Sequence, residues 1–322
     1  MRALVVTRSG GPDVLRVRSV DRPEPEPGQL LVAVAASGIN FIDVYRREGV
    51  YPVPTPFVLG GECAGRVTAV GAGVEGFAVG DLVATAAGIG TDAEYAIVPA
   101  TAAVPVPDGV DPELAAAAML QGMTAQYLVT STYAVQPGDT VLVHAAAGGV
   151  GQLLVQLAKA RGARVVATVG SAAKVDIARG VGADDVIRYD EVDDLAAAVR
   201  AIVPDGVHVA YDGVGRATFE ASLGSLRRRG MLALFGASSG QVPPFDLQRL
   251  NGLGSLFVTR PSLPHYTAER DELLWRAGDV LDAIADGSLR LSIGGRYGLD
   301  DAAAAYGDLE GRRSTGKLLF LP

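Results

Sequence analysis

The sequence has very few of the residues that cross-link a chain or bind transition metals. Of its 322 residues, one is cysteine, Cys63, and three are histidines. A single cysteine excludes an intramolecular disulfide and any structural zinc site built from several cysteines. Such a chain suits a reducing compartment, and we expect a cytoplasmic location.

Long apolar runs and an excess of positive charge are also missing. No uninterrupted apolar stretch reaches about 18 residues, and the run near the N-terminus is too short for a signal-peptide core. We therefore expect neither a membrane span nor a targeting segment. The net charge of -8 opposes binding to phosphate backbones or anionic membrane surfaces. Nucleic-acid and membrane partners are thus disfavoured.

Apolar residues, by contrast, make up 49% of the chain. At this length they are enough to fill the cores of two domains. In the first hundred residues, glycine and proline break up short apolar runs, at 30–36, 65–70 and 81–84, as is typical of β-strands. The pattern changes at Asp111, Pro112 and Glu113, which predict the start of a long helix.

Between residues 140 and 262, apolar runs alternate with helix-like segments. The predicted strands are 141–145, 164–169, 185–188, 207–211 and 231–235. This alternation is typical of a parallel sheet built from βαβ units. The tail predicts a helix over 268–286 and short strands ending at 317–321, which we expect to return to the first domain. The fold class is therefore α/β, with a doubly wound domain at 124–262 and a second domain formed by 1–123 and 263–322.

The segment 140–159 predicts a strand, a tight glycine turn and a helix. Its turn follows the spacing G-x-G-x-x-G, except that Ala146 takes the place of the first glycine. Gly148 would let the backbone approach a pyrophosphate, and Gly151 would let the helix pack closely on the strand. The helix N-terminus, with Gly149 and Val150, would supply free N–H groups. An ordinary βα turn is the alternative, but the flanking strand and helix favour a dinucleotide site.

The end of the second predicted strand indicates which dinucleotide is bound. Sites that prefer NAD place an acid there, about twenty residues after the turn. This chain instead has Gly170, Ser171 and, one helical turn later, Lys174. Small polar residues with a cation suit a 2′-phosphate, so we predict NADPH over NADH. The alternative is a solvated lysine on a helix face.

Several motifs along the whole chain resemble one family. They are Gly-Gly-Pro-Asp-Val-Leu from residue 10, Gly-Ile-Asn-Phe-Ile-Asp-Val-Tyr from 38, Gly-Gly-Glu-Cys-Ala-Gly from 60, Leu-Gln-Gly-Met-Thr from 120, His-Ala-Ala-Ala-Gly-Gly-Val-Gly from 144, Tyr-Asp-Gly-Val-Gly from 211, Phe-Gly-Ala-Ser-Ser-Gly from 235 and Val-Thr-Arg-Pro-Ser-Leu from 258. The chain resembles the medium-chain dehydrogenase/reductase superfamily, in its zinc-free NADPH:quinone oxidoreductase branch related to zeta-crystallin. That resemblance implies a Rossmann domain inserted in a GroES-like partial β-barrel domain, with an active site in the cleft between them.

The positions that hold catalytic zinc in the alcohol dehydrogenases of this superfamily are changed. Asn40 stands in place of a cysteine, and Gly61, next to Glu62, in place of a histidine. Catalytic zinc needs three protein ligands, and His144, His208 and His265 lie elsewhere in the sequence. We therefore expect no metal. His144 is interpreted as packing beneath the glycine turn without a catalytic role, and Cys63 as a small buried apolar residue.

Without a metal, the protein has to hold the hydride donor against an acceptor that is already electrophilic, and a quinone meets that requirement. The resemblance places Asn40, Tyr45, Tyr51 and Gln121 around the acceptor, with Thr124 nearby, where amide and hydroxyl groups could hydrogen-bond a developing oxyanion. As alternatives, the tyrosines are amphipathic residues at the edge of the core, and Asn40 shapes the turn after a strand.

The resemblance also implies the remaining contacts to NADPH. These fall on Phe41, Ile42, Asp43, Val44, Tyr45, Thr124 and Tyr127 toward the nicotinamide, on Tyr189 toward the adenine, on Val214, Gly236, Ala237, Ser238, Ser239, Val258, Thr259 and Arg260 along the Rossmann crevice, and on Arg312 and Lys317 from the tail. For Arg312 the alternative is a surface charge. The β-prone segment 254–260 near the end of the Rossmann sheet predicts a homodimer through an exposed edge.

Two other functions remain open. Reduction of an activated carbon–carbon double bond, in an enone, alkenal or acyl thioester, uses the same hydride geometry. A non-enzymatic NADPH-binding protein with a structural or RNA-binding role is the second alternative. The acidic net charge and the lack of a basic run weigh against RNA.

Overall fold

The structure is a computed structural model that describes residues 1–311 and 313–322. Its strands, in chain order, are β1 (Arg2–Val6), β2 (Leu15–Ser19), β3 (Gln29–Ile39), β4 (Phe57–Val58), β5 (Cys63–Val70), β6 (Leu82–Thr85), β7 (Tyr95–Pro99), β8 (Val104–Pro105), β9 (Thr140–Val143), β10 (Arg164–Val169), β11 (Asp185–Arg188), β12 (Val207–Asp212), β13 (Leu226–Leu234), β14 (Phe257–Thr259), β15 (Ile293–Tyr297) and β16 (Lys317–Phe320).

The helices alternate with the strands over the second half of the chain. They are α1 (Phe41–Arg47), α2 (Pro112–Tyr127), α3 (Gly149–Ala160), α4 (Val175–Gly180), α5 (Leu195–Ile202), α6 (Phe219–Ser225), α7 (Gln248–Gly252), α8 (Leu263–Tyr266), α9 (Arg270–Ala285) and α10 (Ala302–Glu310). Short 3₁₀ turns occupy Pro12–Val14, Ala100–Ala102, Ala172–Lys174 and Leu299–Asp301, and a π-helical turn, Leu128–Thr132, follows α2. The chain divides into two compact units, an outer unit of residues 1–123 and 267–322 and a central unit of residues 124–266.

The outer unit is built around one sheet, in the order β15-β16-β3-β5-β6-β8, and β7 also pairs with β3. A smaller sheet has the order β2-β1-β4. The tail strand β16 runs antiparallel to β3, with Leu318 opposite Ile39 and Phe320 opposite Ser37. Backbone hydrogen bonds therefore attach the tail strand to the N-terminal part of the same unit.

The central unit contains a six-stranded sheet in the order β11-β10-β9-β12-β13-β14, and all its pairs are parallel. Numbered within the unit, this order is 3-2-1-4-5-6, that of a doubly wound dinucleotide fold. Leu142, Val166, Ala210 and Leu232, one from each of four strands, are fully buried in its core. Buried parallel strands read as continuous apolar runs, which is why the sequence predicted them; the predicted α/β fold class is confirmed.

The start of α2 follows the prediction from sequence. Pro112 is its first residue, and the Asp111 side chain accepts a hydrogen bond from the Glu113 N–H at 2.8 Å. The Asp111 carbonyl accepts from the Ala115 N–H at 2.9 Å. Asp111 therefore caps the helix as its residue type predicts. Within the described ranges, no helix is long and apolar enough to cross a membrane.

Candidate active site

The glycine turn joins β9 to α3 at the carboxyl edge of the central sheet. Ala145 has a φ of 51°, in the left-handed region, which lets the chain reverse immediately after the strand. Gly148 is the N-cap of α3, and the first helical bond runs from the Gln152 N–H to the Gly148 carbonyl at 2.9 Å. A Cβ at Gly151 would lie 2.3 Å from the Ala145 oxygen, so only glycine permits this close packing of helix on turn.

The same turn is open to a ligand. Gly148, Gly149 and Val150 are partly exposed, whereas Gly151 to Val155 are buried. The N–H groups of Gly149, Val150 and Gly151 precede the first helical hydrogen bond, so the helix itself does not use them. Free N–H groups and the positive end of the helix dipole suit a pyrophosphate. The residues present therefore fit the phosphate bridge of a dinucleotide.

The end of β10 brings together two residues that were predicted separately. A Cβ at Gly170 would lie 2.2 Å from the Tyr189 hydroxyl oxygen, so this tyrosine lies directly over the glycine. Ser171 precedes the 3₁₀ turn that ends at Lys174, and both side chains are partly exposed. The cation, the hydroxyl and the ring predicted for the adenine end thus belong to neighbouring segments.

The end of β12 carries a third predicted segment. The Asp212 carboxylate accepts from the N–H groups of Val214 and Gly215 at 2.8 and 3.0 Å. Ser239 binds the Val214 carbonyl with both its N–H (2.8 Å) and its hydroxyl (2.7 Å). The structure therefore brings Val214 and the 236–239 loop together. Val258, Thr259 and Arg260 lie farther along, at the edge strand β14, with Val258 and Arg260 exposed.

In the outer unit, Asn40 belongs to a buried polar cluster that the sequence did not reveal. Its amide nitrogen donates to Glu62 Oε2 at 2.7 Å and to the Gly38 carbonyl at 3.0 Å. Its Oδ1 accepts from Lys317 Nζ at 2.7 Å, and this ammonium also pairs with Glu62 at 2.5 Å. The other Glu62 oxygen accepts from the Leu120 N–H at 2.6 Å. We define Asn40, Glu62 and Lys317 as the Lys317 cluster.

These contacts bear on two predicted ligand-binding residues. Lys317 is fully buried and Asn40 is 5% exposed, and the polar atoms of both are bonded within the cluster. Contact of either with cofactor or acceptor stays a prediction. The sequence analysis gave no role to Glu62. Its position in the apolar segment around Gly60 and Cys63 was the available signal. An acid in such a segment is expected to be buried, and a buried carboxylate needs a partner.

Two further buried acids lie beside the Lys317 cluster. Asp43, predicted to contact the cofactor, accepts from the Asn40 N–H at 2.9 Å and is 1% exposed. Burial, followed by the charge of Asp92, raises the pKa of Asp43 well above its usual range. Asp92 accepts from the hydroxyls of Ser37 (2.5 Å) and Tyr306 (3.4 Å), and burial raises its pKa to about 6. The neighbouring Val44 is 5% exposed and packs in the core.

Aromatic side chains of α1 and of the turn after it lie next to one another at the surface. The rings of Tyr45 and Tyr51 meet edge to face, 5.7 Å apart and at 86°. Phe41 lies 6.4 Å from Tyr45, and Tyr51 is 46% exposed. The partly exposed Ile42 lies on the same helix. Two phenol rings that were predicted to flank an acceptor are therefore adjacent, and one of them faces solvent.

The residues predicted on α2 differ in accessibility. Gln121 is partly exposed, whereas Thr124 is 7% exposed. Tyr127 is 1% exposed and its ring stacks on Tyr266 at 4.2 Å and 7°. The Tyr127 ring is therefore covered by another tyrosine, and its contact with the nicotinamide stays a prediction. Arg312, also predicted to contact the cofactor, lies outside the described residues.

The environment of Gly61 bears on the expected absence of zinc. A Cβ at this position would lie 3.2 Å from Arg46 Nη1, so a histidine here would compete with a guanidinium for space. Within residues 1–311 and 313–322, no group of three or more histidine, cysteine, aspartate or glutamate side chains is arranged to hold a metal ion. Burial raises the pKa of the Cys63 thiol, as fits a small core residue. Independence from metal stays a prediction.

A doubly wound sheet with an open glycine turn, in a chain that also contains a β-rich unit, is the architecture of a two-unit, dinucleotide-binding protein. Family models agree with both parts. The model described as the alcohol dehydrogenase GroES-like domain matches residues 26–108, and the one described as zinc-binding dehydrogenase matches residues 149–269. The chain belongs to the medium-chain dehydrogenase/reductase superfamily, in the branch of the quinone oxidoreductases.

Individual relatives match over nearly their whole length. A quinone oxidoreductase of Pseudomonas aeruginosa is 43% identical, over 97% of each chain. A 2-haloacrylate reductase from Burkholderia sp. is 40% identical, over 99% of this chain and 98% of its own. A mycobacterial protein solved in complex with NADPH is 49% identical, with a TM-score of 0.97 and full coverage of both chains.

The raised pKa of Asp92 predicts a pH dependence of stability. Between about pH 4 and 6 the folded state binds more protons at this carboxyl than the unfolded state, so this contribution to the unfolding free energy falls as pH rises. Asp92→Asn removes it. When the pH is raised from 4 to 6.5, we expect the unfolding free energy of Asp92→Asn to increase by about 1–3 kcal/mol relative to that of wild type.

Urea unfolding at fixed pH values measures this difference. Asp21→Asn, at an exposed acid, is the control and should give a constant difference. A constant difference for Asp92→Asn as well would contradict the predicted effect of burying this carboxyl.

Proposed function

We propose that this protein is an NADPH:quinone oxidoreductase that transfers a hydride to its acceptor without a metal. The observation that carries the proposal is the open turn at Gly148–Gly151, at the carboxyl edge of the central sheet. The quinone oxidoreductase relative and the NADPH-bound structural neighbour support the choice of acceptor and cofactor. NADPH supplies the hydride, and the chain binds, orients and shields the reactants.

The proposed cofactor site follows the carboxyl ends of neighbouring strands in the central unit. The N–H groups of Gly149, Val150 and Gly151 would hold the pyrophosphate. Ser171 and Lys174 would hold the 2′-phosphate, with Tyr189 beside the adenine. Val214 and the 236–239 loop would line the crevice, together with the 258–260 segment. No acid interrupts the Gly170–Lys174 segment, which favours the phosphorylated cofactor.

The proposed contacts to the hydride acceptor come from the outer unit. The hydrogen bonds of Asn40 limit what this residue can offer a ligand. Both of its N–H groups are engaged, by the Gly38 carbonyl and by Glu62. Its Oδ1 has one lone pair beyond the bond from Lys317. Asn40 would therefore accept a hydrogen bond from a ligand rather than donate one. The hydroxyls of Tyr45 and Tyr51 and the amide of Gln121 are the proposed donors to an acceptor oxygen.

Reduction of an activated carbon–carbon double bond is the second candidate. The 40% identity to a 2-haloacrylate reductase favours it, because such a substrate also takes a hydride at an electron-poor carbon. The exposed phenol ring of Tyr51 favours flat aromatic acceptors by stacking. For this reason we place the quinone first.

An acceptor panel tests the choice of substrate class. Chelator-treated protein is given NADPH with 1,4-benzoquinone, 9,10-phenanthrenequinone, a crotonyl thioester or a simple enone, and absorbance is followed at 340 nm. We expect turnover with the quinones at a rate that chelation leaves unchanged. Activity confined to the enone or thioester would assign the chain to the double-bond reductases, and loss of quinone activity on chelation would contradict the metal-free reaction.

Lys174 provides a test of cofactor preference. A charge-assisted hydrogen bond contributes about 1.5–3 kcal/mol, so Lys174→Ala should raise the KM for NADPH roughly tenfold or more and leave that for NADH unchanged. Lys159→Ala is the matched control, because that lysine pairs with Asp184 at 2.8 Å. Retention of NADPH preference by Lys174→Ala would remove this residue from the 2′-phosphate site.

We also propose a homodimer that forms through β14, the last strand of the central sheet. Phe257 is 56% exposed and Val258 37% exposed, and an edge strand with exposed apolar residues favours pairing with a second copy. Light scattering at micromolar concentration should give twice the chain mass of 33.1 kDa. Phe257→Lys should yield monomers, whereas Trp275→Lys, at another exposed aromatic, should not. A monomeric wild type would contradict the proposal.

A cytoplasmic location completes the proposed function. It rests on the single cysteine, Cys63, which is buried and free, and on a reaction that consumes NADPH.

A further inference from the structure

A continuous chain of buried hydrogen bonds runs beneath the glycine turn in the central unit. The Thr168 hydroxyl lies 2.9 Å from His144 Nδ1, and His144 Nε2 lies 3.0 Å from the Ser222 hydroxyl. The Ser222 hydroxyl in turn donates to Asp212 Oδ2 at 2.7 Å. All four residues are at most 1% exposed. We call Thr168, His144, Ser222 and Asp212 the His144 chain.

The donor and the acceptor of each hydrogen bond in the His144 chain follow from the Asp212 end. Asp212 is a carboxylate and only accepts, so the single hydroxyl hydrogen of Ser222 points to it. The Ser222 oxygen must then accept from His144, which places a hydrogen on Nε2. Burial lowers the pKa of His144 against the opposing charge of Asp212, which favours the neutral ring. In the neutral ring Nδ1 accepts, and the Thr168 hydroxyl donates to it.

Each end of the chain reaches a segment of the proposed cofactor site. The Thr168 carbonyl accepts from the Ala146 N–H of the glycine turn at 3.1 Å, and Thr168 lies two residues before Gly170. His144 is the residue immediately before the turn. Asp212 binds the N–H groups of Val214 and Gly215, and Thr218 adds its hydroxyl to the same carboxylate at 2.7 Å. The His144 chain thus connects the carboxyl ends of the three adjacent strands β10, β9 and β12.

We propose that His144, Thr168, Ser222 and Asp212 are positioning residues for NADPH, which hold the glycine turn, the Gly170–Lys174 segment and the Val214 loop in fixed register. The inference rests on the proposed function. No proton has to move along the chain, because its role is to keep N–H groups and the Lys174 side chain preorganised for the phosphates. His144 is therefore more than packing beneath the turn, although it touches no reacting atom.

Thr168 offers the cleanest substitution pair for a test. Thr168→Val keeps the side-chain shape in a strand and removes the hydroxyl, whereas Thr168→Ser keeps the hydroxyl and removes a methyl group. We expect the Kd for NADPH, measured by fluorescence titration, to rise about threefold to tenfold in the valine variant and to stay within about twofold of wild type in the serine variant. Thr140→Val, at the opposite end of the sheet, is the control and should bind like wild type.

The thermal midpoint of each variant separates positioning from stability. A raised Kd in Thr168→Val, with a midpoint close to that of Thr168→Ser, supports the inference. Equal affinity of all the variants, when wild type binds NADPH, overturns it. Failure of wild type itself to bind NADPH would instead contradict the proposed function.

Nitrogen NMR of wild type gives a reading that does not depend on the variants folding. With only three histidines, His208→Gln and His265→Gln assign the His144 signals. At pH 8, where a lowered pKa leaves the ring neutral, we expect its hydrogen on Nε2. A hydrogen on Nδ1 at this pH would overturn the deduced chain even if NADPH binds.

Discussion

Two fully buried charges, Lys317 and Glu62, depend on each other in the outer unit. An ammonium or carboxylate left alone in the interior costs several kcal/mol, typically about 3–5 when one partner is removed. Lys317 is the first residue of β16 and Glu62 directly precedes β5, so the pair requires both strands to take their places beside β3. The same two side chains fix both ends of the Asn40 amide. A stability requirement of the fold therefore sets the orientation of a residue proposed for the acceptor site.

The central unit also contains a buried charge that needs partners, but here the partners are not charged. Asp212 is fully buried, and its charge is compensated by hydrogen bonds rather than by a cation. Backbone N–H groups of Val214 and Gly215 and the hydroxyls of Thr218 and Ser222 surround it. In each unit, one buried carboxylate thus orders the backbone beneath a proposed ligand surface.

The sequence predicted the features that depend on neighbouring residues. Period, glycine spacing and the Asp111 cap are local, so the parallel strands, the turn at 145–151 and the start of α2 could be found from them. The partners of Lys317 and Tyr127 could not. Lys317 meets Glu62 across 255 positions, and Tyr127 stacks on Tyr266 of a different helix. Such pairs depend on tertiary packing, and a single sequence carries no record of which distant residues meet.

The fate of the proton connects the Asn40 geometry to the choice of acceptor. Hydride addition to a quinone leaves the charge on oxygen, and water can protonate that oxygen without help. Hydride addition to an enone or acrylate leaves an enolate whose α-carbon must still receive a proton, for which a positioned acid is an advantage. Both N–H groups of Asn40 are already engaged, and Lys317 and Glu62 are bound to each other. Among the proposed acceptor contacts, a phenol of Tyr45 or Tyr51 would therefore have to supply that proton in a double-bond reduction, whereas a quinone needs only hydrogen bonds to its oxygen.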